Sequence, residues 1–236
     1  MNIALLTAAG SGTRMHQDIP KQFIHVENKP IIIYTLEAFQ NHPSIDAIIV
    51  VCLEGWADVL SAYAKQFNIT KLRWIVNGGV TGQDSIHNGL LKLGEECNPE
   101  DIVLVHDGNR PLITEEMISN SIAACKKYGS SVAAIPCTEV VFKSDDGSCA
   151  NDCIKREYLR RTQTPHVYSL EKLLWAHDEA AKRNITNTAA SCSLMYELGE
   201  KVYFSAGAER NIKITTTEDI DLFKALLHIK KEDWLK

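Results

Sequence analysis

From the amino terminus to about residue 137, short apolar runs alternate with longer segments of helical period. "NIALLTAA" (2–9) is apolar, brief and closed by glycine, and reads as a buried parallel strand. "PIIIYTLEAFQNH" (30–42) carries apolar residues at helical spacing behind a proline, a favourable helix start. "DAIIVVCL" (46–53), "LRWIVNGG" (72–79), "DIVLVHDGNRP" (101–111) and "SSVAAIPC" (130–137) predict further strands. "WADVLSAYAKQF" (56–67), "SIHNGLLKLGEEC" (85–97) and "TEEMISNSIAACKKYG" (114–129) predict helices, the last with Thr114 as cap and Gly129 as stop.

This order implies an α/β fold: a mostly parallel sheet with helices on both faces. Ligands of such sheets sit beyond the carboxyl ends of the strands. The polar insertions Ala8–Lys21, Asn77–Ser85 and His106–Arg110 all follow strand ends, so they are expected at one rim. The pattern then breaks. Residues 138–159 alternate and are charged around Asp145-Asp146-Gly147, which predicts a hairpin projecting from the body. "LEKLLWAHDEAAKR" (170–183) is helical, and "EKVYFSAG" (200–207) and "NIKITT" (211–216) read as late strands. A closing helix spans 216–232, capped by Thr216 or Thr217, with Glu218 and Asp219 at its positive end. With no repeat, low-complexity tract or linker, residues 1–236 read as a single domain with 138–159 as an arm.

Composition narrows the partners. The chain has 236 residues, 45% hydrophobic and 23% charged, as in ordinary soluble globular proteins. Its formal net charge of -5 argues against a nucleic-acid-coating role but leaves room for a small basic pocket. No apolar run approaches a membrane span, and no basic leader precedes "NIALLTAAG". The seven cysteines are an odd number and scattered, which suits free thiols in a reducing cytoplasm. Cys137, Cys149 and Cys153 lack a second pair or spaced histidines for zinc, so no metal-thiolate site is expected.

The rim loops hold the candidate chemistry. Ala8, Ala9, Gly10, Ser11 and Gly12 have almost no side chains, so main-chain N–H groups there can approach phosphate oxygens. The loop lacks the Gly-Lys-Ser/Thr of a P-loop and the third glycine of a dinucleotide fingerprint. Arg14 offers a planar fork for two oxygens, and Lys21 a mobile point charge; taken alone, both read as solvated surface cations. Gly78 and Gly79 permit close approach of backbone to a ligand. Asp84 and Ser85 read equally as helix caps and as partners of a base or ribose. Asp107, just past a buried strand, suits a sugar-hydroxyl or metal contact, with Arg110 as its ion-pair partner. Lys213 sits between Ile212 and Ile214, which point the other way in an extended run, so it faces the rim and needs an anion or water. Arg156, Arg160 and Arg161 belong to a protruding basic arm, a feature more typical of a dimer contact than of a catalytic element.

Taken in order, "AAGSGTRM", "PKQF", "NGG…DS", "VHDGNRP", Thr164-Pro165 and "NIKITT" resemble the cytidylyltransferases that act on 2-C-methyl-D-erythritol 4-phosphate or ribitol 5-phosphate, over essentially the whole chain. The resemblance implies a Rossmann-like nucleotidyltransferase sheet and a homodimer clasped by a β-arm from each subunit. It implies CTP along Ala8, Ala9, Gly10, Gly12, Gly79, Asp84 and Ser85. It assigns Arg14 and Lys21 to the triphosphate and transition state, Lys213 to the reacting phosphates, and Asp107 to the ribose and the incoming substrate. Arg156 would reach the partner's site and hold the polyol phosphate.

The chain differs from that family's usual pattern at Val140, where threonine is common, and around Asn187, where a Thr-Asp or Ser-Asp pair is common. It also carries Gly108-Asn109 where small residues such as alanine are usual, His166 after Thr164-Pro165 in place of glutamine, and Gly82 in place of arginine. The triphosphate loops follow the family, while most differences fall near the acceptor. The expected reaction is in-line attack of a polyol phosphate on the α-phosphorus of CTP, with Mg²⁺ held mainly through phosphates. Two other readings stay open at this point: a nucleotidyltransferase of the same fold with another base or sugar phosphate, and a non-catalytic nucleotide-binding module.

Overall fold

Alternate residues of the first strand, β1 (Asn2–Ala8), enter two different cores. The structure, a computed structural model, describes residues 1–10 and 19–229. Gly12 and Arg14, two of the expected site residues, lie outside them. After a single 3-10 turn at Lys21–Phe23, β2 (His25–Val26) and β3 (Lys29–Pro30) form a small hairpin. Its two turn residues, Glu27 and Asn28, both have positive φ (51° and 65°), the conformation a two-residue hairpin loop demands. Then follow α1 (Ile31–Asn41), β4 (Ala47–Cys52), α2 (Ala57–Gln66), β5 (Leu72–Asn77) and α3 (Gly82–Glu96). Next come β6 (Ile102–Asp107), α4 (Glu115–Tyr128) and β7 (Ser131–Pro136). The arm holds β8 (Val141–Lys143) and β9 (Asp152–Ile154), paired antiparallel. The chain continues with β10 (Arg160–Ser169), α5 (Leu170–Lys182), α6 (Ser191–Glu197), β11 (Phe204–Ala206) and α7 (Thr217–His228).

The main sheet has the order β11-β7-β10-β6-β1-β4-β5. All its pairings are parallel except those of β10, which runs antiparallel to both β6 and β7. On one face, Ala4 and Leu6 join Leu36, Phe39 and Ile122. On the other, Ile3 and Leu5 join Leu90, Leu93 and Leu173. The two-residue period of a strand covered on both sides accounts for this split. A third cluster, with Ile31, Ile214 and Phe223, seats α7 against α1.

Helix α3 and residues 211–216 need correction, and the short strands β2 and β3, strand β10 and helix α6 have no counterpart in the sequence reading. Helix α3 starts at Gly82 rather than residue 85, because Thr81 caps it in a reciprocal capping box with Asp84. Residues 211–216 are not a strand. Their backbone groups are taken instead by the loop after β6. Ile214 N–H donates to Asn109 O (2.9 Å), Asn109 Nδ2 donates to Ile214 O, and Arg110 Nη1 donates to Asn211 O (2.7 Å). That satisfies the same polar groups a ladder would. Strand β10 opens with two arginines and contains Pro165, which hides it from pattern reading.

The caps at Thr114, Gly129 (φ 81°) and Thr216 stand where expected. No helix among the described residues is long and apolar enough to cross a membrane.

Candidate active site

The strand order reverses between β1 and β6: the chain builds outward to β5 on one side, then returns to β6 on the other. The crevice beyond the carboxyl ends at such a reversal is where open α/β sheets bind ligands. A cavity of about 410 Å³ lies there, within the range of small-molecule sites. Because β10 is antiparallel, its start reaches the same rim and brings Thr162 and Thr164 into the cavity wall.

Ala8, Ala9 and Gly10 carry the end of β1 into the cavity. Their geometry is fixed by the buried Gln22, whose Nε2 donates to Ala8 O (2.6 Å) and Gly10 O (3.2 Å). With two carbonyls of this turn held by one side chain, its backbone has little freedom left. Lys21, the neighbour of Gln22, lines the same cavity. From the other side the 77–81 loop closes in. A Cβ at Gly78 would stand 2.3 Å from Ala9 Cβ, so only glycine permits the approach of these two loops. Gly79 N–H donates to Ser85 Oγ (3.0 Å), and Ser85 Oγ in turn donates to Thr81 O (2.9 Å).

Asp107 is the electrostatic centre. Its Oδ1 accepts from Lys213 Nζ (2.9 Å) and its Oδ2 from Arg110 Nε (2.9 Å). Burial works against the charge of this carboxylate, but Lys213 and Arg110 outweigh it and hold the group well below the usual carboxylate range. Behind it, Asp107 N–H donates to Thr164 Oγ1 (3.1 Å), and that hydroxyl meets His106 Nδ1 at 2.9 Å. His106 Nε2 lies 3.2 Å from Arg110 O. A neutral imidazole protonated at Nε2 satisfies all three contacts: the Thr164 hydroxyl donates to Nδ1, and Nε2–H donates to the carbonyl. Burial pushes the His106 pKa down to about 4, and does the same for His166 and His177, which also line the cavity. At neutral pH the described positive charge of the cavity therefore comes from Lys21, Arg110 and Lys213.

The structure brings together Ala8, Ala9, Gly10, Lys21, Ser85, Asp107 and Lys213 around one cavity. Gly79 and Asp84 are not among the described residues that line it; Asp84 accepts from the N–H (3.0 Å) and hydroxyl (2.8 Å) of Thr81. Arg156 is also away from the cavity of its own chain, on the exposed arm, where its Nη1 donates to Thr138 O (3.0 Å). Sequence reasoning assigned no role to Gln22, Gln83, Thr162 or Thr188, which also line the cavity. None stands in a periodic pattern; Gln22 was visible only inside "PKQF".

Among the described residues no three His, Cys, Asp or Glu side chains cluster as metal ligands. Among the described residues Asp107 is the carboxylate of the cavity wall, and with its oxygens on Lys213 and Arg110 it suits a magnesium ion that takes most of its shell from water and substrate phosphates.

Residues 2–229 match the family model described as 2-C-methyl-D-erythritol 4-phosphate cytidylyltransferase. The chain is 45% identical over 233 residues to the ribitol-5-phosphate cytidylyltransferase of Lacticaseibacillus paracasei, covering 98% of this chain and 100% of that one. It is 37% identical over 226 residues to the 2-C-methyl-D-erythritol 4-phosphate cytidylyltransferase of Clostridium botulinum, covering 96% and 97%. The crystal structure of 4-diphosphocytidyl-2C-methyl-D-erythritol synthase from Anaerococcus prevotii is similar with a TM-score of 0.82 at 27% identity, over 97% of this chain and 96% of that one.

Proposed function

The chain belongs to the 2-C-methyl-D-erythritol 4-phosphate cytidylyltransferase family, and from that membership we propose that it moves CMP from CTP to ribitol 5-phosphate, releasing pyrophosphate. It is a polyol-phosphate cytidylyltransferase. The observation that carries the reading is the cavity at the strand-order reversal, where the Ala8–Gly10 backbone, Lys21 and the Asp107–Lys213–Arg110 cluster meet. Ribitol 5-phosphate is favoured as acceptor by the higher identity to a ribitol-5-phosphate enzyme. The hydroxyl side chains of Thr162, Thr188 and Ser193 in the wall suit an acceptor with one more hydroxyl than methylerythritol phosphate and no methyl branch.

A phosphate oxygen of the acceptor attacks the α-phosphorus of CTP; the new O–P bond forms as the bond to the β-phosphate oxygen breaks. No general base is required, because a phosphate monoester with a second pKa near ~6 is mostly dianionic at neutral pH. The obstacle is repulsion between two anions, and catalysis is then positioning and charge neutralisation. Arg14 and Lys21 serve the triphosphate, and Lys213 the reacting phosphates. Backbone groups of Ala8, Ala9, Gly10, Gly12 and Gly79, with Asp84 and Ser85, serve the nucleotide. Asp107, kept ionised, orients Lys213 and faces the ribose. Substrate phosphates, with Asp107 as the carboxylate of the described wall, would hold Mg²⁺, which would supply neutralisation of phosphate charge.

The arm belongs to a homodimer in this reading. Val140 (66%), Phe142 (57%) and Tyr158 (80%) are large apolar side chains exposed along it, which supports a second copy as their cover. Arg156 then serves the partner's acceptor, and the enzyme works in the cytoplasm. The test is kcat/KM for ribitol 5-phosphate and for methylerythritol phosphate with CTP, followed by UTP, GTP and ATP with the better acceptor. Preference for ribitol 5-phosphate and CTP is expected; strong preference for methylerythritol phosphate would overturn the acceptor assignment, and Val140→Thr would then be expected to change nothing.

A further inference from the structure

We propose that Gln83 is a positioning residue that sets acceptor affinity by clamping the 185–188 loop into the cavity wall. The role rests on the function proposed above. Gln83 is the second residue of α3, and its side chain reaches across 102 to 105 positions of sequence. Nε2 donates to Ile185 O (3.0 Å), while Oε1 accepts from both the N–H (2.9 Å) and the hydroxyl (3.0 Å) of Thr188. The orientation of the amide is not open to choice: a backbone N–H can only donate and a carbonyl can only accept, so oxygen must face Thr188 and nitrogen Ile185.

The loop it grips connects α5 to α6 and needs holding. Asn184 (φ 54°) and Asn187 (φ 56°) both turn in the left-handed region, and residues 186 and 187 are exposed. Asparagine tolerates that conformation but does not enforce it. Three hydrogen bonds from a helix end select one arrangement, and in it Thr188 and Ala189 line the cavity beside Gln83 itself.

The nucleotide side is held by other means. Gln22 fixes the carbonyls of Ala8 and Gly10, and Ser85 is tied to Thr81 and Gly79. Loss of the Gln83 side chain leaves those contacts intact and releases only the loop. The effect should therefore fall on the ligand that meets Thr188 and its neighbours, the polyol phosphate, and spare CTP.

The experiment compares native protein, Gln83→Ala and Gln83→Glu, reading KM for CTP and for ribitol 5-phosphate together with amide hydrogen exchange across 184–190. In Gln83→Ala, KM for ribitol 5-phosphate should rise roughly tenfold, as expected for loss of several partly exposed hydrogen bonds. KM for CTP should stay within about twofold, and exchange at Thr188 should accelerate. Gln83→Glu keeps an acceptor for Thr188 but opposes Ile185 O, so it should recover part of the loss on both readouts. Equal rises in both KM values, unchanged exchange at Thr188, or a glutamate variant as impaired as the alanine one would overturn the role. No turnover by the native protein with either polyol phosphate would instead overturn the functional reading and this role with it, while the exchange data would still report the clamp.

Discussion

The rim cavity and the arm are built on opposite principles. At the rim, His106 and Asn211 are fully buried, and Asp107 has both carboxylate oxygens paired at 2.9 Å. The arm joins two three-residue strands, and Phe142 and Tyr158 lie mostly open to water. A two-stranded ribbon of that length has little stability of its own. The rim thus has its described contacts inside one chain, whereas the arm's surface makes sense against a second copy. For an enzyme that must hold two anions together, the function proposed above divides the work accordingly: the sheet edge meets the nucleotide, and in the proposed homodimer a neighbour's arm completes the acceptor site.

The largest expected effect tests the arm. Cys137 N–H bonds to Leu159 O (3.4 Å), so the two ends of the arm meet and a short linker can close the gap. Deletion of residues 140–157 with such a linker should give a monomer by analytical ultracentrifugation that binds CTP yet shows no detectable turnover. A fully active monomer would end the proposed division of labour.

Next in size is the rim itself. Lys213→Met and Lys21→Met should each lower kcat on the order of 10²–10³, with CTP dissociation constants changed far less, since their charge counts most in the transition state. Near-normal kcat in either variant would remove that residue from the reaction.

A separate effect falls on stability and is centred on the rim. His106, His166 and His177 are held neutral by burial with pKa values of about 4, well below the ordinary 6.5. An unfolded chain binds these protons at higher pH than the folded one does. Their stabilising contribution is thus complete above pH 6.5 and is lost as pH falls from 6.5 toward 4. The loss approaches about 1.4 kcal/mol per pH unit for each group. Thermal melts between pH 7.5 and 4.5 should show Tm falling through this window, and replacing His177 by Gln should reduce the slope. A Tm flat to pH 4.5 would show that the histidines are not buried neutral.

Features that depend on neighbours a few residues away could be read directly from the chain. The alternation of Ile3, Ala4, Leu5 and Leu6, the caps at Thr114 and Gly129, and the placing of small residues and cations after strand ends are local signals, so the sheet and its rim loops were legible. The motifs also carried the family. Contacts between distant positions were not legible. That Asn109 captures Ile214 and denies residues 211–216 a place in the sheet is a pairing across 105 positions. The same holds for the clamp from Gln83 to Thr188, and for the insertion of β10 between β6 and β7 despite its arginines and proline. A glutamine or asparagine has no preferred partner in sequence. What it bonds is settled only when closure of the core brings an unpaired carbonyl or N–H within reach, and the cost of leaving that group unpaired makes the choice.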